Sequence, residues 1–398
     1  MKWINYLSQQ FIQNVKVNNN YRNFRKLQNV TPPFSIYEGR KIINWSNNDY
    51  NGLSHNPEIK STLINGIYKY GCGSGGTRNI GGTNEIHTTL ESKISSLHNK
   101  EAGLVFNSGY LANLSCMQAF GNIFPNAEFF SDEYNHSSII NGIKLSNLPK
   151  SVFKHNDSGD LENLIKQRAK YNTQKIIVIE SIYSIDGSIA PFDDIIAIAK
   201  EYNAMIFVDE IHGVGVHGKW GGGITDFYNH QNNIDIIMGG FGKGYGLMGG
   251  YLTGDRILID AIRLCGSGFI FTTSLPPHFV SGIIESIDNN LKTVNKEQEK
   301  RKKLIFFFKN LAHEKKIPLI ENNFKYSQIQ SIHIGCSLKA EQIHNLLLCE
   351  SNHYVQHLNF PTVPKGTERL RISLKGCHNE LMISNLLDKI EEAFFKLG

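Results

Sequence analysis

Short, branched apolar runs alternate with amphipathic stretches along this chain. Ala204-Met-Ile-Phe-Val-Asp209 and Ile234-Asp-Ile-Ile-Met-Gly239 each read as a buried parallel strand. Lys175-Ile-Ile-Val-Ile-Glu-Ser-Ile-Tyr-Ser184, Ala102-Gly-Leu-Val-Phe106 and Glu128 to Ser131 are further runs of the same kind. Between them, Asp193 to Asn203 spaces its apolar residues as a helix, with acids at its start and Lys200 near its end. Strand, helix and strand at this spacing predict βαβ units, and so an α/β fold around a mostly parallel sheet.

Outside that region the pattern changes. Residues 1–40 are polar and aromatic, with weak helical periodicity from Ile4 to Val15, and read as an N-terminal arm. Residues 41–285 are expected to form the large domain, with Gly268 to Pro277 closing its sheet region. A long helix is expected over Pro277 to Ala312, its basic cluster at Lys300 to Lys303 being a solvated face. Residues 286–398 alternate strand and helix signals, as a small α+β domain would.

Composition narrows the function classes. A chain of 398 residues has room for one large and one smaller domain. A net charge of +5 without any Lys/Arg block gives no reason to expect nucleic acid or a membrane surface as partner. No apolar run approaches the length of a membrane span, and no secretory leader is visible, so a cytoplasmic protein is expected. The six cysteines lack C-x-x-C spacing and suit a reducing compartment without a metal site.

The candidate chemistry lies where the strands end. Asp209 and His212 follow one apolar run, and Lys243 follows the next. Open α/β sheets place their ligands at the carboxyl ends of strands. An acid, a histidine and a lysine grouped there suit pyridoxal phosphate: the lysine bonds the cofactor covalently, and the acid pairs with its protonated ring nitrogen. Ser108-Gly109-Tyr110, at a strand-to-helix turn, offers backbone amides as a phosphate cradle.

Two other motifs fail on context. Asp209-Glu-Ile-His212 spells a helicase box, but Ile237-Met-Gly-Gly-Phe-Gly-Lys-Gly244 lacks the first glycine and the final Ser/Thr of its phosphate-loop partner. Gly71-Cys-Gly-Ser-Gly-Gly76 is a literal G-x-G-x-x-G, yet it follows a helix rather than a strand. The glycine-rich segment continues to Asn84, and its donors Thr77, Arg78, Asn79 and Asn84 suit close approach to a ligand better than a bare linker.

Several of these segments resemble the α-oxoamine synthases, fold type I pyridoxal phosphate enzymes, and among them the branch that forms 5-aminolevulinate. The likeness runs from about Tyr21 to His378. It rests on Gly73-Ser-Gly-Gly-Thr-Arg-Asn-Ile80, His155-Asn-Asp157, Asp186 to Pro191, Phe207 to His212, Gly268 to Pro277, and Asn359-Phe-Pro-Thr-Val-Pro364. The resemblance implies condensation of glycine with succinyl-CoA in a homodimer with a shared active site, at the head of haem and tetrapyrrole synthesis.

It also implies roles for individual residues. Lys243 would carry the cofactor and take the glycine α-proton, while Asp209 would hold the ring nitrogen. His212 and Ser184 would bond the ring oxygen, and His136 would stack on the ring. Ser108, Gly109 and Tyr110 would bind the cofactor, with Thr272 and Thr273 reaching it from the partner subunit. Arg371 would grip the glycine carboxylate. Arg22, Thr77, Asn79 and Ile80 would surround the succinyl end, Arg22 being shielded by Tyr21 and Phe24, with Asn48 and Thr362 near the substrates. The chain departs from the family pattern at Gly240, where a Ser or Thr is usual, and at Leu374-Lys-Gly376. A sibling synthase using another acyl-CoA or amino acid, and a non-catalytic relative, are the alternative readings.

Overall fold

The computed structural model describes residues 2–169 and 173–398, which fall into two compact units. One unit comprises 48–184 and 188–299; the other joins 1–47, 185–187 and 300–398. The boundaries expected at 40/41 and 285/286 fall inside the strand Arg40–Asn44 and the helix Pro277–Glu314.

The larger unit is built on a seven-stranded sheet. Its order is Ala102–Phe106, Gly250–Gly254, Ile236–Gly240, Ala204–Asp209, Gln174–Glu180, Ala127–Asp132 and Lys150–Phe153. All neighbours pair in parallel except Gly250–Gly254, which is antiparallel to both of its partners. The sheet is therefore mostly parallel, as the apolar runs predict. Its register sets Glu180 directly beside Asp209, and Asp209 beside Met238. The side chains of Phe129, Ile176, Val178, Phe207, Ile236 and Met238 form one core cluster with residues of the helix Gly109–Ile123. That helix starts where Ser108 Oγ accepts a hydrogen bond from Leu111 N at 3.1 Å. The crossover helix Phe192–Tyr202 buries Ile195, Ile196, Ile198 and Ala199 and stops at Asn203, whose φ of 49° is left-handed.

Two sheet elements differ from expectation. Gly250–Gly254, with glycine at both ends, is a fully buried strand, because Tyr251 and Leu252 fill the cores on its two faces. Gly268 to Pro277 adds no strand to the seven-stranded sheet; a one-turn helix, Ser267–Ile270, leads into a turn there.

The other unit holds two four-stranded sheets. The first runs Gln28–Asn29, Phe34–Tyr37, Arg40–Asn44, His353–Tyr354; the second runs Leu319–Ile320, Ile329–His333, Arg369–Ser373, Gln356–Leu358. Trp45, Phe308, Leu347, Leu370 and Leu386 share its core. The helix Trp3–Val17 buries none of its residues within the chain.

Candidate active site

The end of the parallel sheet gathers the polar residues that the strand pattern points to. Lys243 Nζ lies 2.5 Å from His212 Nε2, and the other ring nitrogen, Nδ1, lies 2.8 Å from the Tyr50 hydroxyl. Tyr50 in turn donates to Asn48 Oδ1 at 3.3 Å. With Lys243 as the ammonium donor, His212 carries its proton on Nδ1 and passes a donor on to Tyr50. The lysine thus heads a short hydrogen-bonded chain that can accept or return a proton.

Asp209 is sealed off beside that chain. It is 2 % exposed, accepts from Asn113 Nδ2 at 2.7 Å and from Ile211 N at 2.9 Å, and sits opposite Glu180. Burial raises its carboxyl above the ordinary value, against the pull of Asn113, Ile211 N–H, Lys243 and His136. Burial raises Glu180 as well, helped by the charge of Asp209. Two acids in so dry a place are short of positive charge. A protonated pyridine nitrogen against Asp209 would supply it, so the residues present fit pyridoxal phosphate.

Around this pair, His136 is held from behind. Its backbone N–H donates to Glu180 Oε1 at 2.6 Å, and its Nδ1 meets Ser138 Oγ at 2.7 Å. Its ring is set edge-on to Tyr110, with centroids 6.2 Å apart. Burial lowers its basicity, which keeps the imidazole neutral near pH 7. Ser108, Gly109 and Tyr110 stand at the start of a 15-residue helix whose amides can take an anion. Ser184 is half-buried and lies beyond the end of the strand Gln174–Glu180.

The remaining expected residues sit elsewhere in each unit. Thr77 Oγ1 donates to Asn79 Oδ1 at 2.6 Å, and Thr77 forms an isolated bridge with Thr273. Ile80 is 73 % exposed, Thr272 is half-buried and Thr273 is exposed. In the other unit, Arg22 donates to Thr362 Oγ1 at 3.2 Å. Phe24 is 92 % exposed, so it does not shield Arg22 within the chain. Arg371 lines a recess of about 360 Å³ with Asn44, Ser46, Asn47, Tyr354 and Gln356.

Four functional neighbours escape a reading of the sequence: Tyr50, Asn113, Ser138 and Glu180. The turn-rich segment Trp45 to Leu53 hides Tyr50. Asn113 does leave a trace, as an amide among the mostly apolar residues Leu111 to Met117.

This is the architecture of the class I and II aminotransferases, whose family model matches residues 40–390. Among solved structures, a high-resolution structure of SPT with PLP superposes with a TM-score of 0.92 at 25 % identity, covering 100 % of both chains. 8-Amino-7-oxononanoate synthase from Francisella tularensis superposes at 0.77 with 27 % identity, over 89 % of this chain and 98 % of that one. Curated relatives are closer. The 5-aminolevulinate synthase of Rickettsia prowazekii is 45 % identical over 100 % of this chain and 95 % of its own. That of Bradyrhizobium diazoefficiens is 38 % identical over 95 % and 93 %. The chain belongs to the 5-aminolevulinate synthase family.

Proposed function

We propose that this protein condenses glycine with succinyl-CoA to give 5-aminolevulinate, coenzyme A and carbon dioxide, using pyridoxal phosphate. The observation that carries the reading is the Lys243–His212 contact of 2.5 Å beside the sealed Asp209. Bound there, the cofactor supplies an electron sink for the carbanion left at the glycine α-carbon. Lys243 takes the α-proton, and His212 and Tyr50 receive or return it. Asp209 would keep the ring nitrogen protonated, and His136, Ser184 and His212 would hold the ring. The amides at Ser108, Gly109 and Tyr110 hold the phosphate.

Substrate recognition falls to the other predicted residues. Arg371 binds the glycine carboxylate, and Arg22 binds the succinyl carboxylate with Thr77, Asn79 and Ile80 around the acyl chain. Asn48 and Thr362 line the substrates. A new carbon–carbon bond forms at the thioester carbonyl as the carbon–sulfur bond breaks and coenzyme A leaves as its thiol. The original glycine carboxylate then departs as carbon dioxide, and a proton takes its place. The charge match at Arg22 favours a carboxylated acyl group over a fatty one.

We also propose a homodimer in which Thr272 and Thr273 complete the partner's site. Phe271 and Ile80, 81 % and 73 % exposed, flank the Thr77–Thr273 bridge and give a second copy apolar surface to cover. A fully active monomer in sedimentation would overturn it. The six cysteines, all free, fit a cytoplasmic setting. The function itself is tested by coenzyme A release across a panel of amino acids and acyl-CoAs. Glycine with succinyl-CoA should give the fastest release; a preference for butyryl- or octanoyl-CoA would move the protein to a sibling activity.

A further inference from the structure

Gly240 ends the strand that leads to Lys243 and pairs with Gly250 across the sheet. Its φ is not left-handed, so its backbone would accept an ordinary residue. The obstacle is a side chain. A Cβ at 240 would come within 2.9 Å of Ile211 Cγ1 and 3.0 Å of Ile211 Cδ1. Ile211 cannot back away toward the helix start. There a Cβ on Gly109 would already meet Ile211 Cδ1 at 2.5 Å, so the two are in close packing. Being β-branched, Ile211 has few rotamers to choose from. Its N–H also donates to Asp209 Oδ1, which ties its backbone to the carboxylate.

Three close approaches therefore meet at one spot. Ile211 is wedged between the first residue of the helix Gly109–Ile123 and the strand end before Lys243. On the far side, Gly250 comes so near that a Cβ there would lie 2.5 Å from Gly109 N. The position of the helix start relative to the lysine strand is thus gauged by the volume of Ile211 and by the lack of any side chain at 240.

We infer that Ile211 and Gly240 form one exchangeable volume pair that sets the cofactor-phosphate cradle. Ile211 occupies the space that a residue at 240 would need, and the phosphate is gripped by helix amides without a hydroxyl from 240. This rests on the reading that pyridoxal phosphate lies at this helix start. Ile211 is a positioning residue here, acting through Gly109 and Asp209.

The test is a double-mutant cycle of Gly240→Ser and Ile211→Ala. It has two readouts: the melting temperature of the cofactor-free protein, and the Kd for pyridoxal phosphate by fluorescence titration. Gly240→Ser alone should lower melting by about 2–6 °C through overpacking and weaken cofactor binding about tenfold. Ile211→Ala alone should also lower melting by leaving a cavity. Together they should melt above the Ser variant and bind the cofactor at least as tightly as the parent. Gly240→Ala adds only the Cβ and keeps the cycle readable if the serine variant does not fold. Additive losses in melting would overturn the pair. Coupling in melting but none in Kd would overturn its role in the cradle. A parent protein that binds no pyridoxal phosphate would instead defeat the cofactor reading, which the melting cycle does not use.

Discussion

Lys243 and its neighbours contrast with Arg22 in how each is held. Asp209 and His212 are both about 2 % exposed, and short bonds from Asn113, Ile211, Tyr50 and Lys243 fix them at the ends of buried strands. Arg22 lies on an exposed segment and reaches Thr362 at 3.2 Å. The chemistry needs a dry, rigid setting, because charge on Asp209 works harder where water cannot screen it. Recognition of a carboxylate needs only one well-aimed cation. A change at the first place should therefore abolish turnover, while a change at the second should redirect it.

The largest effect should follow Lys243→Ala. It removes the group proposed as both covalent tether and base, and a positioned acid–base group alone is worth about 10²–10⁴-fold. Coenzyme A release with saturating substrates should fall at least that far, while melting of the cofactor-free protein changes little.

Asp209→Asn comes next. It keeps the shape and the Asn113 neighbour but removes the charge proposed to hold the ring nitrogen protonated. Loss of one such buried electrostatic partner costs about 10²–10³-fold in turnover. Equal turnover for Asn and Asp at this position would put the dry cluster on the same footing as the exposed one.

Arg22→Leu should act differently. The charge-assisted bond proposed between Arg22 and the succinyl carboxylate would be worth about 1.5–3 kcal/mol, roughly 10- to 150-fold in kcat/KM. The ratio of kcat/KM for succinyl-CoA over butyryl-CoA should drop by that factor, with kcat on the better substrate retained. An unchanged ratio would take Arg22 out of the acyl pocket.

How far each region can be read from letters follows the same division. Asp209, His212 and Lys243 are legible because each follows an apolar run, and a parallel sheet must bring such ends together. Tyr50 is not, because its partner His212 lies 162 positions away and only the folded chain joins them. Glu180 falls inside the run Lys175 to Ser184 and does not stand out, and its bond to the His136 N–H depends on a register no sequence pattern specifies. Arg22 stands out between two aromatics, but Phe24, being exposed, gives it no shelter within the chain. Gly240 is visible as a letter, whereas the reason for it is the side chain of Ile211, 29 positions away in sequence and packed against it.

The smallest effect concerns pH. Burial pushes the Glu210 carboxyl up to about 7, even though Ile224 N and Thr225 N donate to it at 3.1 and 2.6 Å. The folded state then holds a proton that the unfolded chain releases near 4.5. Its contribution to stability is complete below pH 4.5 and fades as pH rises through about 7. Glu210 should add up to about one proton to the downward slope of stability across that window, on top of what the raised Asp209 and Glu180 carboxyls give. Glu210→Gln should make the slope shallower by that share, while Arg22→Leu should leave it untouched.

The most direct test of the account is to reduce the cofactor-loaded protein with borohydride and map the modified peptide by mass spectrometry. A pyridoxyl group fixed on Lys243, and lost in Lys243→Ala, is the expected result. A stable label on any other lysine, or none in protein that binds pyridoxal phosphate, would contradict it.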